Sequence, residues 1–169
     1  MITIGIDPAA RTGIAMVRDG VLVYAAEVAH VDEARGVLDL LARLRDLPRP
    51  DLVVIERPSY PRIGGVLRYG ELRERAGACE ALVLSVWPAV RVLRPWPLPH
   101  KGEAGWQPEM HAGHVEADSK LRSVAEVVRR GGGQVIMRGG RAMPDAADAA
   151  CMAWWGESAT ASFRPGGFR

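Results

Sequence analysis

Apolar residues recur with two different periods along this chain, and the switches between them mark its elements. Ile2-Thr3-Ile4-Gly5-Ile6 is a nearly unbroken apolar run that closes on Asp7, the pattern of a buried strand over 2–7. Proline and glycine punctuate Asp7-Pro8-Ala9-Ala10-Arg11-Thr12-Gly13, which reads as a turn. Residues 14–18 and 21–29 read as two more strands, joined by Asp19-Gly20, a dipeptide suited to a two-residue hairpin. From Asp32 to Leu47 the period changes: Ala34, Val37, Leu38, Leu41 and Leu44 return at helical spacing until Pro48 and Pro50 stop the helix. Leu52–Glu56 is a short buried strand, followed by a proline-broken loop over 57–65. A helix over about 66–87 follows, with Tyr69, Leu72, Ala76, Cys79, Val83 and Val86 on one stripe, and then a strand over 89–94.

Periodicity lapses over 95–116, a tract rich in proline and glycine that also carries Trp96 and Trp106. Loops of that length are uncommon and usually functional or mobile. Asp118 is placed to cap a helix running to about Arg130, ended by Gly131-Gly132-Gly133, with Gln134–Met137 as a brief edge strand. A last helix starts at Pro144 and runs to about Trp155. The expectation is one domain over 1–156 and a flexible C-terminal tail over 157–169. The order of elements gives an α/β domain with a mixed central sheet, in which strand ends and helix starts share an edge.

Four acids stand out against this pattern because each sits where an element begins or ends. Asp7 and Glu56 each close a buried strand, and Asp145 and Asp148 lie three apart at the start of the last helix. Each alone has an ordinary structural use. Asp before Pro starts turns, an acid at a strand end is often solvated, and first-turn acids gain roughly 0.3–1 kcal/mol from the helix dipole. Jointly, three separate segments deliver acids to element ends. If the fold gathers them, divalent metal is the natural reason to tolerate their repulsion, and phosphodiester hydrolysis is the chemistry that carboxylate-held metal serves. The chain reads as a metal-dependent nuclease.

Composition narrows this without changing it. The chain has 169 residues, 48% hydrophobic and 25% charged, and a formal charge of +2, which excludes a polycation but leaves room for a local basic face. Its basic residues are arginines apart from Lys101 and Lys120. Arg57, Arg62, Arg68, Arg73 and Arg75 face only Glu71 and Glu74 in their stretch, and Arg122, Arg129, Arg130, Arg138 and Arg141 surround Glu126. Such clusters beside the acidic segments suit a phosphate-tracking surface, and a solvated helix face laced with ion pairs is the alternative. Cys79 and Cys151 fall among small and apolar residues and read as packed free thiols of a reducing compartment. The chain opens directly on a strand and has no apolar run of membrane-spanning length, which predicts a cytoplasmic protein. His111 and His114, with Glu109 and Glu116 nearby, are a weak zinc signal without a cysteine pair.

Three segments carry a family resemblance: Ile4-Gly5-Ile6-Asp7-Pro8 with Thr12-Gly13, then Val54-Ile55-Glu56-Arg57, then Asp145-Ala146-Ala147-Asp148-Ala149-Ala150. In order and spacing, over about 2–156, they resemble the signature segments of RuvC-type Holliday junction resolvases, of the ribonuclease-H-like (retroviral integrase) superfamily. The resemblance implies a ribonuclease-H-like fold: a mixed five-stranded central sheet, an antiparallel three-strand meander plus parallel strands, flanked by helices. It implies a homodimer of a bacterial cell or phage-infected host, acting in DNA recombination and repair. That dimer cuts four-way DNA junctions symmetrically and leaves 5′-phosphate and 3′-hydroxyl ends. It further implies Mg²⁺ or Mn²⁺, two ions per site, held by Asp7, Glu56, Asp145 and Asp148, with no nucleotide cofactor. A lysine that assists on phosphate falls at Lys120, a second family lysine falls at Arg94 or Lys101, and an aromatic near the junction centre falls at Tyr60. With Arg57, Arg62, Arg68, Arg73, Arg75 and Arg122 these form the expected DNA-binding set. The rival readings are a related nuclease for other branched DNA or RNA–DNA hybrid, a single-lobe ATPase-like protein, and a non-catalytic nucleic-acid-binding protein.

Overall fold

Strand β1 (Ile2–Asp7) pairs antiparallel with β2 (Arg11–Arg18), and β2 pairs antiparallel with β3 (Val21–Ala29), giving the expected meander. Between β2 and β3, Asp19 and Gly20 both adopt positive φ, 50° and 80°, as a two-residue hairpin turn with the right-handed twist requires. The computed structural model describes residues 1–29, 31, 33–58, 66–95 and 119–162. Within them follow α1 (Ala34–Asp46), β4 (Leu52–Ile55), α2 (Val66–Val86), β5 (Arg91–Leu93), α3 (Ser119–Arg129), α4 (Gly133–Ile136), β6 (Met137–Arg138), β7 (Arg141–Ala142) and α5 (Pro144–Ser162). The main sheet has five strands in the order β3-β2-β1-β4-β5, and β1, β4 and β5 run parallel.

Side-chain alternation divides the core between the two faces of the sheet. Ile4, Ile6, Ile14, Met16, Val53 and Ile55 point to one face and pack with Leu40 and Leu44 of α1 and Cys79 and Val83 of α2. Ala15, Val17, Leu52 and Val54 point to the other and pack with Ala147, Ala150, Met152, Ala153 and Trp154 of α5 and Val127 of α3. A β-carbon on Gly5 would lie 1.8 Å from the Ala149 carbonyl oxygen, so the backbone of α5 rests directly on β1. No described helix is long and apolar enough to cross a membrane.

Three sequence expectations are corrected. The tract 7–13 is not wholly a turn, because β2 begins at Arg11, where Arg11, Thr12 and Gly13 already pair with Ala29, Val28 and Glu27 of β3. Of Gln134–Met137, only Met137 enters a strand. Gly133–Ile136 forms a helical turn, and a separate hairpin of β6 and β7 turns through Gly139-Gly140, with φ of 57° and 77°. The last helix does not stop near Trp155 but continues to Ser162. Gly156 seats α5 against Val54 and Leu52, and the Ser158 and Thr160 hydroxyls donate to the carbonyls of Trp154 (3.1 Å) and Gly156 (2.9 Å), so these polar residues are satisfied within the helix.

The arginines around Glu126 are partly structural. The Glu126 carboxylate is buried and accepts hydrogen bonds from Arg129 (2.6 and 2.7 Å) and Arg130 (2.6 Å). Arg130 also lies over the Trp154 ring, 4.5 Å from its centroid, and the Trp154 indole N–H donates to the Gly20 carbonyl at 2.9 Å. Trp154 is therefore a core residue that ties α3 and the β2–β3 turn to α5.

Candidate metal centre

The parallel strands β1, β4 and β5 end at one edge of the sheet, where sites in open α/β sheets gather. Asp7 is the last residue of β1 and is buried. In the β1–β4 ladder Ile6 lies beside Ile55, and the Glu56 N–H donates to the Ile6 carbonyl at 3.2 Å, so Glu56 sits at the same level as Asp7. The Arg57 N–H donates to the Pro95 carbonyl at 2.9 Å, joining the exits of β4 and β5.

The N-terminus of α5 reaches this same edge. Asp7 is opposite Gly13 in the β1–β2 ladder, and a β-carbon on Gly13 would lie 1.9 Å from the Asp145 carbonyl oxygen. Only the absence of a side chain there lets the first turn of α5 lie over the end of β1. Asp145 and Asp148, three apart on one helix face, then point toward Asp7. One carboxylate oxygen each from Asp7, Asp145 and Asp148 lies within 4.8 Å of the other two. Glu56 is outside that trio. It lines the adjoining cavity of about 370 Å³ together with Asp7, Pro8, Glu71, Leu72 and Arg75.

Three acids gathered at that separation, two of them buried, repel one another, and a bound cation would offset the charge. Hard divalent ions prefer oxygen ligands and accept a few carboxylates with water completing the shell. The donor set fits such an ion. No sulfur nucleophile competes: Cys79 and Cys151 are free and buried. Burial pushes the Cys79 thiol up to about 12. Burial raises Cys151 too, with the charge of Asp148 adding to it.

The expected DNA-binding residues distribute unevenly. Arg75 lines the Asp7–Glu56 cavity, and Arg57, Arg73 and Arg94 line a second cavity of about 530 Å³ that shares Glu56 and Pro58 with the first, with Tyr69 and Glu80. Arg94 is held there by Glu80 through two hydrogen bonds, which raise its pKa and lower that of Glu80. Arg122 is half-buried on α3. Arg68 and Lys120 belong to the first turns of α2 and α3, and their side chains lie outside the described part of the molecule. Tyr60, Arg62, Lys101, Trp96, Trp106, Asp118 and the His111–His114 tract also lie outside the described residues.

One residue at the site escaped the sequence reading. Glu27 of β3, with its side chain 12% exposed, accepts a hydrogen bond from the Asp145 backbone N–H at 3.1 Å. Its signal was a single acid in the otherwise uncharged strand Val21–Ala29.

A mixed sheet in this order, with α1 and α2 on one face and α5 on the other, is the ribonuclease-H-like class of fold. Within that class the fold is that of RuvC. The chain is similar to Thermus thermophilus RuvC in complex with a Holliday junction substrate, with a TM-score of 0.63 and 19% identity over 96% of each chain. It is similar also to a second Thermus thermophilus RuvC structure, with a TM-score of 0.60 and 22% identity over 95% of this chain and 98% of that one. No protein-family model and no curated protein sequence matches the chain.

Proposed function

We propose that this chain is a structure-selective endonuclease that resolves four-way DNA junctions, acting as a homodimer with Mg²⁺ or Mn²⁺. The observation that carries the reading is the convergence of Asp7, Asp145 and Asp148 at the strand-end edge of a RuvC fold. Support for the substrate comes from the Thermus thermophilus protein of the same fold, whose structure holds a Holliday junction substrate.

Asp7, Asp145 and Asp148 would hold the metal, with Glu56 extending the ligand set from the Asp7 side. When bound, divalent metal supplies an acidified water and neutralises charge on the phosphate. The remaining work belongs to the chain's own residues. The N-terminus of α5 brings its positive dipole end to the site, where the phosphate accumulates negative charge. Arg75 in the first cavity and Arg57 and Arg73 in the second share those cavities with Glu56, so a phosphodiester backbone laid across Glu56 would meet guanidinium groups. Contacts of that kind position DNA and leave its sequence unread. Lys120, at the start of α3, is the lysine proposed to assist on phosphate. In the hydrolysis water adds to phosphorus, the bond to the 3′-oxygen breaks, and that oxygen takes up a proton, giving a 5′-phosphate and a 3′-hydroxyl.

The test uses a synthetic mobile four-way junction with and without Mg²⁺, with products mapped at nucleotide resolution. Paired symmetric nicks that need Mg²⁺, are absent on linear duplex, and fall by at least about 10²-fold in Asp7→Asn are expected. Asp7→Asn should still bind the junction. Equal cutting of flap DNA or of an RNA–DNA hybrid would assign another substrate, and wild-type cutting by Asp7→Asn would refute the metal assignment.

A further inference from the structure

Asp145 is fixed by two contacts from different strands. Its carbonyl oxygen lies against the bare α-carbon of Gly13, and its N–H donates to Glu27 Oε1 at 3.1 Å. Gly13 and Glu27 are partners in the β2–β3 ladder, as Gly13 and Asp7 are in the β1–β2 ladder. Asp7, Gly13 and Glu27 thus form one rung across three strands, and the first turn of α5 is laid over it.

The first backbone N–H groups of a helix have no partner within the helix, and a nearby polar side chain normally supplies one. The carbonyl of Met143, which precedes α5, accepts the Ala147 N–H at 3.0 Å, but its side chain has no oxygen to cap the Asp145 N–H. Glu27 provides the acceptor from 118 residues away in sequence. Its other carboxylate oxygen, Oε2, lies 3.9 Å from the guanidinium of the largely exposed Arg11, a pairing that adds little stability.

We propose that Glu27 is a positioning residue: by capping α5 from β3 it fixes where Asp145 and Asp148 stand relative to Asp7, and so sets the affinity of the metal centre. The proposal rests on the metal-centre reading above. Glu27 is not a member of the acid trio, so its action is through Asp145. Loss of the cap frees the first turn of α5 to open, and partners one step removed from a metal contribute 10–100-fold to its affinity.

The test titrates the full chain with Mn²⁺ alone, following free Mn²⁺ by electron paramagnetic resonance, and measures amide exchange at Asp145 by nuclear magnetic resonance. Glu27→Ala removes the acceptor, whereas Glu27→Gln keeps an oxygen and loses the charge. Glu27→Ala is expected to weaken Mn²⁺ binding by about 10-fold or more and to speed exchange at Asp145. Glu27→Gln is expected to restore both to within about 3-fold of wild type. Wild-type Mn²⁺ affinity in Glu27→Ala would overturn the proposal. So would equal losses in both variants, which would make the charge the operative feature. If Glu27→Ala does not fold, Glu27→Gln decides by itself, since a tenfold loss there contradicts a role through the acceptor. Failure of the metal reading looks different: wild type and Asp7→Asn would then take up Mn²⁺ alike, which would remove the site and Glu27's role in it together.

Discussion

The two faces of the central sheet differ in how closely they let the helices approach. Toward α1 and α2 the sheet presents large aliphatic side chains, Ile4, Ile6, Ile14 and Ile55, met by Leu40, Leu44 and Val83. Toward α5 the sheet also presents Val17, Leu52 and Val54, but at the first turns of the helix it presents Gly5, Gly13 and Ala15, met by Ala146, Ala147, Ala149 and Ala150. Large side chains bury more apolar area, at roughly 25 cal/mol per Å², so the α1–α2 face supplies more hydrophobic stabilisation per residue. Small residues bury less but hold backbone against backbone, where a displacement of a few tenths of an ångström is already a clash. The site is built on the second face. Stability and positional accuracy are thus drawn from different sides of one sheet.

The sharpest way to break that contrast is to fill the gap at Gly13. Gly13→Ala places a β-carbon where the Asp145 carbonyl and the Ala146 nitrogen, 2.7 Å away, leave no room, so α5 must lift from β2. Junction cleavage should fall by about 10²-fold, because misplacement near 1 Å costs that much, while stability falls by about 1–3 kcal/mol. Cleavage rates and thermal unfolding measured on the same preparation check this, and near-wild-type cleavage would show that α5 tolerates movement. The next effect is on stability alone. Leu40→Ala, on the opposite face, should cost about 2–5 kcal/mol yet leave cleavage below its melting temperature within about 3-fold of wild type. If Leu40→Ala impairs cleavage as Gly13→Ala does, the division of labour between the faces is wrong.

Smaller effects are expected away from both faces. The Arg94 hydrogen bond, and then the Arg94 charge, hold the Glu80 carboxyl below its ordinary value of 4.5. A depressed carboxylate adds stability above its unfolded pKa and loses it as pH falls through the folded pKa. Chemical denaturation of wild type and Glu80→Gln should therefore differ at neutral pH and converge in acid below the ordinary glutamate range. With Arg94 nearly half exposed, the neutral-pH difference is at most about 1 kcal/mol. A difference that persists unchanged in acid would remove the ion pair as its cause.

Much of this architecture was legible because its signals are local. Apolar runs at period two and Asp19-Gly20 gave the meander, and helical stripes gave α1 and α2 within a few residues of their ends. The acids could be read because they interrupt such patterns at element ends. What was misread depends on contacts from elsewhere in the chain. Gly13 looked like turn punctuation, yet it lies within a strand and is glycine because α5 presses on it. Ser158 and Thr160 looked like a frayed end, yet Gly156 docks on Val54 and carries the helix past them. Gln134–Ile136 offered apolar and polar residues too few to separate a helical turn from a strand. Glu27 was passed over because its partner is a backbone N–H supplied by a distant helix, which leaves no motif in sequence.

The central claim is that Asp7, Asp145 and Asp148 form one divalent-ion site, and anomalous diffraction from crystals soaked in Mn²⁺ tests it most directly. A Mn²⁺ peak about 2 Å from carboxylate oxygens of at least two of these three residues is the result expected. Well-ordered carboxylates with the peak absent, or a peak elsewhere on the molecule, would contradict it.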